Sequence, residues 1–325
     1  MKAKTSVVIP NYNGRAYLVP CLKALADQTL VPDRIILVDN GSTDGSADLV
    51  EREFPAVTLI RFKENTGFCG AVNRGIRDSA DMDYVILLNN DTRALPTFTE
   101  ELVRAMEKRR RAFSCQAKML KMDQPDLLDD AGDYYCALGW AFARGKGRPA
   151  GDYDRPKQIF SSCAGAAIYR KSVLDQIGLF DEHHFAYLED TDIGWRARLH
   201  GWKNYYIPKA EVLHVGSAAS GSVYNLFKVK NTSRNSIYLI AKNMPLGQII
   251  LNLPLLIPGF LIKAAFFTAK GFGGEYIRGI LKGFSLSRRG RKEGRHVNFK
   301  ASRLPIYVRI QLELWANCIR RLVQF

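Results

Sequence analysis

The sequence predicts an α/β protein: a sheet with helices on its faces, followed by a basic, partly apolar helical extension. Three observations lead there. Short β-branched runs alternate with helical patterns four times in the first 90 residues. Each of these runs ends in a polar turn cluster, and the excess positive charge is gathered at the far end of the chain.

The elements follow in order. Residues 5–10 (TSVVIP) and 34–39 (RIILVD) are β-branched runs bounded by turn residues, the pattern of buried parallel strands. Between them, over 15–28, Leu18, Cys21, Leu22 and Leu25 recur at helical spacing. Residues 57–62 and 84–89 repeat the strand signal, with helices over 46–53 and 70–79 ahead of them. Ligands of such sheets sit outside the carboxyl ends of the strands. Four clusters fall there: Pro10 to Gly14, Asp39 to Gly45, Asn65 to Phe68, and Asn89-Asn90-Asp91. One Asn/Gly/Asp turn is ordinary, but four along one sheet edge point to a ligand site. No G-x-G-x-x-G follows the first strand and no G-x-x-x-x-G-K-[ST] occurs, so neither common phosphate-cradling loop is present. The remaining way to hold a diphosphate there is a divalent cation on a carboxylate. Asp91 is placed for it.

A second acidic constellation, Glu189-Asp190-Thr191-Asp192, opens a run with helical apolar spacing. Asp190 or Thr191 can serve as a simple cap. Three carboxylates within four residues exceed what a cap needs, and their crowding raises a pKa as a general base requires. His214, just after the apolar run 211–213, is either a satisfied structural histidine or a second metal ligand. Ser161 and Cys163 are not read as nucleophiles. The small residues Ala164, Gly165 and Ala166 instead permit close approach of an acceptor.

The 325 residues carry 47 Lys/Arg against 32 Asp/Glu, a net charge of +15. Residues 241–325 hold 15 of the cations and 3 of the acids, so most of the excess lies there. This locates an anionic partner at the C-terminal end. Residues 243–262 contain no charge over 20 positions, about a bilayer's span, but Pro245, Pro254 and Pro258 argue for an interfacial or re-entrant segment. The stretches 263–284, 287–295 and 303–325 interleave cations with aromatic and aliphatic residues, as in membrane-surface docking. Nucleic acid would accept the charge but not the apolar run, and is not expected as a partner. A helical subdomain packed on the body is the alternative. The expected division is therefore 1–240 and 241–325. Six scattered cysteines without a C-x-x-C pair fit a reducing cytosol, and no secretion is expected from an N-terminus that runs straight into a strand.

The motifs SVVIPNYNG (6–14), ILVDNGSTDGS (36–46), ENTGFCGAVNRG (64–75), LLNNDT (87–92) and FAYLEDTDIGWRARLHGW (185–202) resemble glycosyltransferase family 2, and within it the bacterial rhamnosyltransferase-like branch. The resemblance covers roughly residues 5–245. It implies a GT-A fold: a mixed sheet flanked by helices that binds a nucleotide sugar, joined to an acceptor-binding half. By position it implies that Pro10 and Tyr12 line the nucleoside pocket and that Asp39 pairs with the base. Asn65, Gly67 and Asn73 belong to a second nucleotide-contacting segment. Asn89-Asn90-Asp91 occupies the family's D-x-D position, with an Asn in place of the first acid. Asp91 is then the ligand for Mg²⁺ or Mn²⁺, and His214, in LHVGSAAS (213–220), its partner. Glu189-Asp190 matches the pair whose aspartate is the base, completed by Asp192 and Trp195. Lys230, Arg234 and Asn235 resemble a stretch that reaches the diphosphate or a lipid acceptor.

The implied activity is inverting transfer of a sugar, L-rhamnose from dTDP-rhamnose, to a polyprenyl-diphosphate-linked or glycan acceptor in bacterial cell-surface glycan synthesis. The enzyme would sit at the cytoplasmic face of the membrane, with its oligomeric state open. Galactofuranose, glucose or N-acetylhexosamine donors are the alternatives, and an inactive basic scaffold a further one.

Overall fold

The computed structural model describes residues 3–216 and 224–323. The N-terminal half alternates β1 (Thr5–Asn11), α1 (Arg15–Ala26), β2 (Arg34–Asp39), α2 (Ser46–Glu53), β3 (Thr58–Arg61), α3 (Gly67–Arg77) and β4 (Tyr84–Leu88). These are the expected elements, with one shift. Helix α3 begins three residues early, because Asn65 Oδ1 accepts the Gly67 N–H and Asn40 Oδ1 the Thr66 N–H, satisfying donors that open a helix.

The chain continues through β5 (Thr92–Ala94), α4 (Phe98–Lys108), β6 (Ala112–Lys121), β7 (Leu128–Asp130), β8 (Asp133–Cys136), β9 (Trp140–Ala143), β10 (Lys157–Ile159) and β11 (Ala166–Arg170). Then come α5 (Lys171–Ile177), α6 (Glu189–Leu199) and β12 (Lys203–His214). The main sheet runs β10-β12-β6-β11-β4-β1-β2-β3, with β5 on β12 and β7 on β6. Strands β4, β1, β2 and β3 are parallel, whereas β11 is antiparallel to both β4 and β6. The sheet is therefore mixed. Two cores cover its faces, one joining Leu18, Leu22 and Phe98 to Ile9, the other joining Val72 and Ile193 to Val8. Ladder pairing puts Asn11 beside Asp39 and leads β4 out at Asn89, which gathers the polar clusters on one edge.

Four helices close the chain: α7 (Leu226–Asn243), α8 (Leu246–Ala269), α9 (Gly273–Lys292) and α10 (Leu304–Val323). The expected division at 240/241 falls inside α7. A third core joins Tyr135, Phe160 and Trp195 of the body to Leu239, Leu256 and Leu314 of these helices. The extension is thus packed on the body, and helical throughout most of its length.

Helix α8 covers most of the segment read as interfacial or re-entrant. It is continuous over 24 residues, with Pro254 and Pro258 inside. Its polar face is held by tertiary contacts: Gln248 and Asn252 both donate to Gln311 of α10, and Gly259 lies so close to Leu138 that a Cβ would sit 2.3 Å from its carbonyl oxygen. Packing of this kind outweighs the backbone bonds the prolines remove. By length and composition it is long and apolar enough to cross a membrane.

Candidate active site

The end of β4 is fastened to its neighbours by one backbone bond and by side-chain amides. Asn89 N–H donates to Gly165 O at 2.9 Å, bringing the Ala164-Gly165 segment alongside. Asn90 Nδ2 donates to Asn11 Oδ1 at 2.7 Å, and Asn11 Nδ2 donates to Asp39 Oδ1 and Ser46 Oγ, each at 2.9 Å. Asp39 Oδ2 accepts the Ser42 N–H at 3.1 Å. Gly14 is required beneath this network, since a Cβ there would lie 1.9 Å from Asn90 Nδ2. Asn40 Nδ2 donates to Asn65 Oδ1 and Gly67 O, each at 3.0 Å, which ties in the third cluster. Pro10 is half-buried on this edge, and the Tyr12 ring is 45% exposed beside it.

Asp91 and His214 meet across the sheet. The β5–β12 ladder pairs Thr92 with His214, and His214 Nε2 lies 3.2 Å from Asp91 Oδ1. Its other nitrogen, Nδ1, is 2.7 Å from Asp129 Oδ2, and Asp129 is held in turn by Lys146 at 2.7 Å. Burial by itself would lower the imidazole pKa. The bonds to Asp129 and Asp91 outweigh it and lift His214 to about 9. With ligand bonds of about 2.1 Å, two donor atoms this close are spaced to share one divalent cation. At a pKa of about 9 both ring nitrogens carry protons at neutral pH, so a cation would have to displace the Nε2 proton while Asp129 keeps the one on Nδ1. These residues fit such an ion. Residues 217–220 of the His214 motif lie outside the described residues.

Asp190 stands on the first turn of α6, its Oδ1 accepting the Thr191 N–H at 2.6 Å. Burial raises its pKa, and the hydrogen bonds from Thr191 pull it part of the way back. Burial and the charges of Asp130 and Asp190 push Asp133 well above the usual carboxylate range, so it keeps its proton near Asp190, and its Oδ2 is buried without a hydrogen-bond partner among the described residues. Glu189, buried with Oε2 unpartnered, is raised to about 8 by burial and by Asp190.

The segment LDDAGD (128–133) runs between the two acidic centres. Asp129 binds His214, and Asp133, four residues on, lies near enough to Asp190 for their charges to interact. Asp130 anchors the turn between them by accepting from Gln116 at 2.9 Å and from the Gly132 N–H at 2.7 Å. Sequence reasoning passed over it. The available signal was three acids within five residues around Ala131-Gly132.

The backbone ahead of Glu189 is strained. Phe185, Tyr187 and Leu188 have φ of 62°, 72° and 68°, left-handed values that cost about 1 kcal/mol or more each for residues other than glycine. Asn235, fully buried on α7, shares its amide hydrogens among the carbonyls of His184, Ala186 and Tyr187 at 2.7–2.9 Å. The loop is thereby held in shape.

Four expected site residues are placed otherwise. Both Asp192 oxygens are spent, on Arg196 and Lys242 at 3.0 and 2.8 Å and on Asn243 at 2.8 Å, so this buried carboxylate joins α6 to α7 and has no open face for catalysis. Trp195 is fully buried against Tyr135 and Phe160, a core position with no acceptor-facing surface. Asn73 bonds the Phe180 backbone through both ends of its amide and also Glu182, away from the nucleotide edge. Arg234 donates to the carbonyls of His183 and His184, so it braces the strained loop.

The family described as glycosyl transferase family 2 matches residues 6–178. The chain belongs to glycosyl transferase family 2. A Mycobacterium tuberculosis N-acetylglucosaminyl-diphospho-decaprenol L-rhamnosyltransferase is 30% identical over 241 residues, covering 66% of this chain and 77% of that one. A Salmonella typhimurium O-antigen chain rhamnosyltransferase is 25% identical over 214 residues, covering 65% and 66%. Among solved structures, GalNAc-T7 with UDP, GalNAc and Mn²⁺ superposes with a TM-score of 0.59 at 15% identity, over 73% of this chain and 47% of that one. That likeness is one of fold. The family 2 member described here is thus a hexosyltransferase resembling the rhamnosyltransferases, on a GT-A scaffold.

Proposed function

We propose that this glycosyltransferase is inverting and metal-dependent, and that it moves L-rhamnose from dTDP-rhamnose to a polyprenyl-diphosphate-linked or glycan acceptor. The observation that carries the chemistry is the Asp91–His214 pair, 3.2 Å apart and spaced for one cation, on the same sheet edge as the nucleoside-side amide network, with Asp190 on the first turn of α6. The donor sugar is supported by the names of the two rhamnosyltransferase relatives.

An acceptor hydroxyl oxygen attacks C1 of the donor from the face opposite the diphosphate. Its proton passes to the Asp190 carboxylate, the new C1–O bond forms, and the bond to the diphosphate breaks with its electron pair leaving on the nucleoside diphosphate. The Thr191 N–H keeps Asp190 oriented, and Asn235 fixes the loop that delivers it. Asp39 and its amide network shape the nucleoside side, with Tyr12 free to cover the base. A divalent cation, Mg²⁺ or Mn²⁺, on Asp91 and His214 would neutralise charge on the departing diphosphate.

The enzyme is read as resting on the cytoplasmic face of the membrane. Leu246, Ile250, Leu251, Ile257, Leu261 and Ile262 of α8 are more than half exposed, as are Leu304, Val308, Leu312, Ile319 and Leu322 along one stripe of α10. Exposed apolar faces amid Lys and Arg are what an interfacial protein presents. A thermal-shift panel of nucleotide sugars, with and without Mn²⁺ or Mg²⁺, tests the donor. A selective, metal-dependent response to dTDP-rhamnose is expected, and an equal response to UDP-sugars would overturn the rhamnosyl assignment.

A further inference from the structure

A cavity of about 650 Å³ lies between the C-terminal end of α3, the loop 177–182, α6 and the loop 294–303. None of Asp39, Asp91, Asp190 or His214 lines it. Its volume is that of an ordinary ligand pocket, and its charge is one-sided. The acids on its wall are already satisfied: Asp181 binds Lys242 and Arg295 at 2.7 and 3.1 Å, and Glu182 accepts from Asn73 at 2.9 Å with Arg77 3.6 Å away. Lys300 and Arg303 also line the cavity, and among the described residues neither has an acidic side chain within ion-pair distance. Nδ1 of His296, on the same wall, is shielded from solvent and has no hydrogen-bond partner. His200 titrates below its ordinary value, chiefly through burial, with Arg303, Lys300 and Arg196 adding to the effect. The cavity therefore holds positive charge that its own acids leave unbalanced.

The rim shows where an anion would come from. Phe299, Leu304 and Val308 are each about half exposed, and the first two directly adjoin Lys300 and Arg303 in the chain. They begin the apolar stripe of α10. A side chain that enters the bilayer next to a cation that does not is the arrangement of an interfacial headgroup site.

We propose that this cavity binds the phosphate group of an anionic phospholipid, with Lys300, Arg303 and His296 as donors. The assignment rests on the membrane-surface reading above and adds to it a defined headgroup site. Bound there, the lipid would fix the linker between α9 and α10 against the loop that precedes the strained segment.

The test is flotation of the full chain with vesicles of phosphatidylcholine alone, or of phosphatidylcholine mixed with phosphatidylglycerol. Wild type should prefer the mixed vesicles. The pair Lys300→Gln with Arg303→Gln should lose about tenfold or more of that partitioning while keeping its binding to phosphatidylcholine. A control pair outside the cavity, Arg288→Gln with Arg291→Gln, removes the same charge and should lose less. Equal losses from the two pairs would overturn the site and leave membrane docking standing. Failure of wild type to float with either vesicle would overturn the docking reading itself. A thermal shift by inorganic phosphate that the Lys300/Arg303 pair abolishes, with flotation unchanged, would replace the lipid by a soluble anion. Circular-dichroism melting of each variant confirms that the exposed substitutions leave the fold intact.

Discussion

His214 lies between two carboxylates, 3.2 Å from Asp91 through Nε2 and 2.7 Å from Asp129 through Nδ1. The second contact bears on the first, because a proton held on Nδ1 by Asp129 would leave Nε2 as the atom that gives up its proton to a cation. Asp129→Asn should therefore weaken Mn²⁺ affinity by about 10- to 100-fold without removing a ligand. Metal titration followed by calorimetry reads this directly, and an unchanged affinity would show that Asp129 serves only Lys146.

Asp190→Asn should lower turnover by about 10²- to 10⁴-fold while nucleotide-sugar affinity changes little. Single-turnover rates against donor binding separate the two. Near-normal turnover would remove Asp190 from the role of base.

Glu189 bears on stability with a definite sign. Its folded pKa, about 8, lies above the ordinary 4.5, so between those values the folded state holds a proton that the unfolded state has released. Its contribution to stability falls as pH rises through that window. Glu189→Gln should raise the melting temperature, with the gain growing from pH 5 toward pH 8, as thermal melts across pH will show.

Lys242 balances two buried acids, Asp181 at 2.7 Å and Asp192 at 2.8 Å. Lys242→Met leaves that charge uncompensated and should cost about 3–5 kcal/mol, measured by urea unfolding. A loss below about 1 kcal/mol would mean that Arg196 and Arg295 suffice.

Ile250→Glu with Leu261→Glu places two charges on the outward face of α8, where both residues are more than half exposed. Membrane sedimentation should fall sharply, with the melting temperature nearly unchanged. Retained sedimentation would shift the docking surface to α9 and α10.

The first four strands and their polar ends were legible because each is a local pattern: β-branched runs, then Asn, Gly and Asp at the carboxyl edge. Asp91, His214 and Asp190 could be singled out for the same reason. Asp129 and Asp133 were not, since their importance comes from a β7–β8 turn that sequence spacing does not bring to His214 and Asp190. Asp192 and Trp195 misled in the opposite sense. Standing beside Asp190 in sequence, they point on a helix toward other neighbours, one to Lys242 and the other into a core with Tyr135. The prolines of α8 did not reveal that it is one continuous helix, because that depends on partners on α10 some 60 residues away.

Because Leu239, Leu256 and Leu314 pack in one core with Tyr135 and Trp195, the C-terminal helices cannot be shed to obtain a more soluble catalyst. Cutting the chain before them would strip the ceiling from the catalytic half. A soluble form is better sought by repainting the outward stripes with polar residues, leaving every inward one in place.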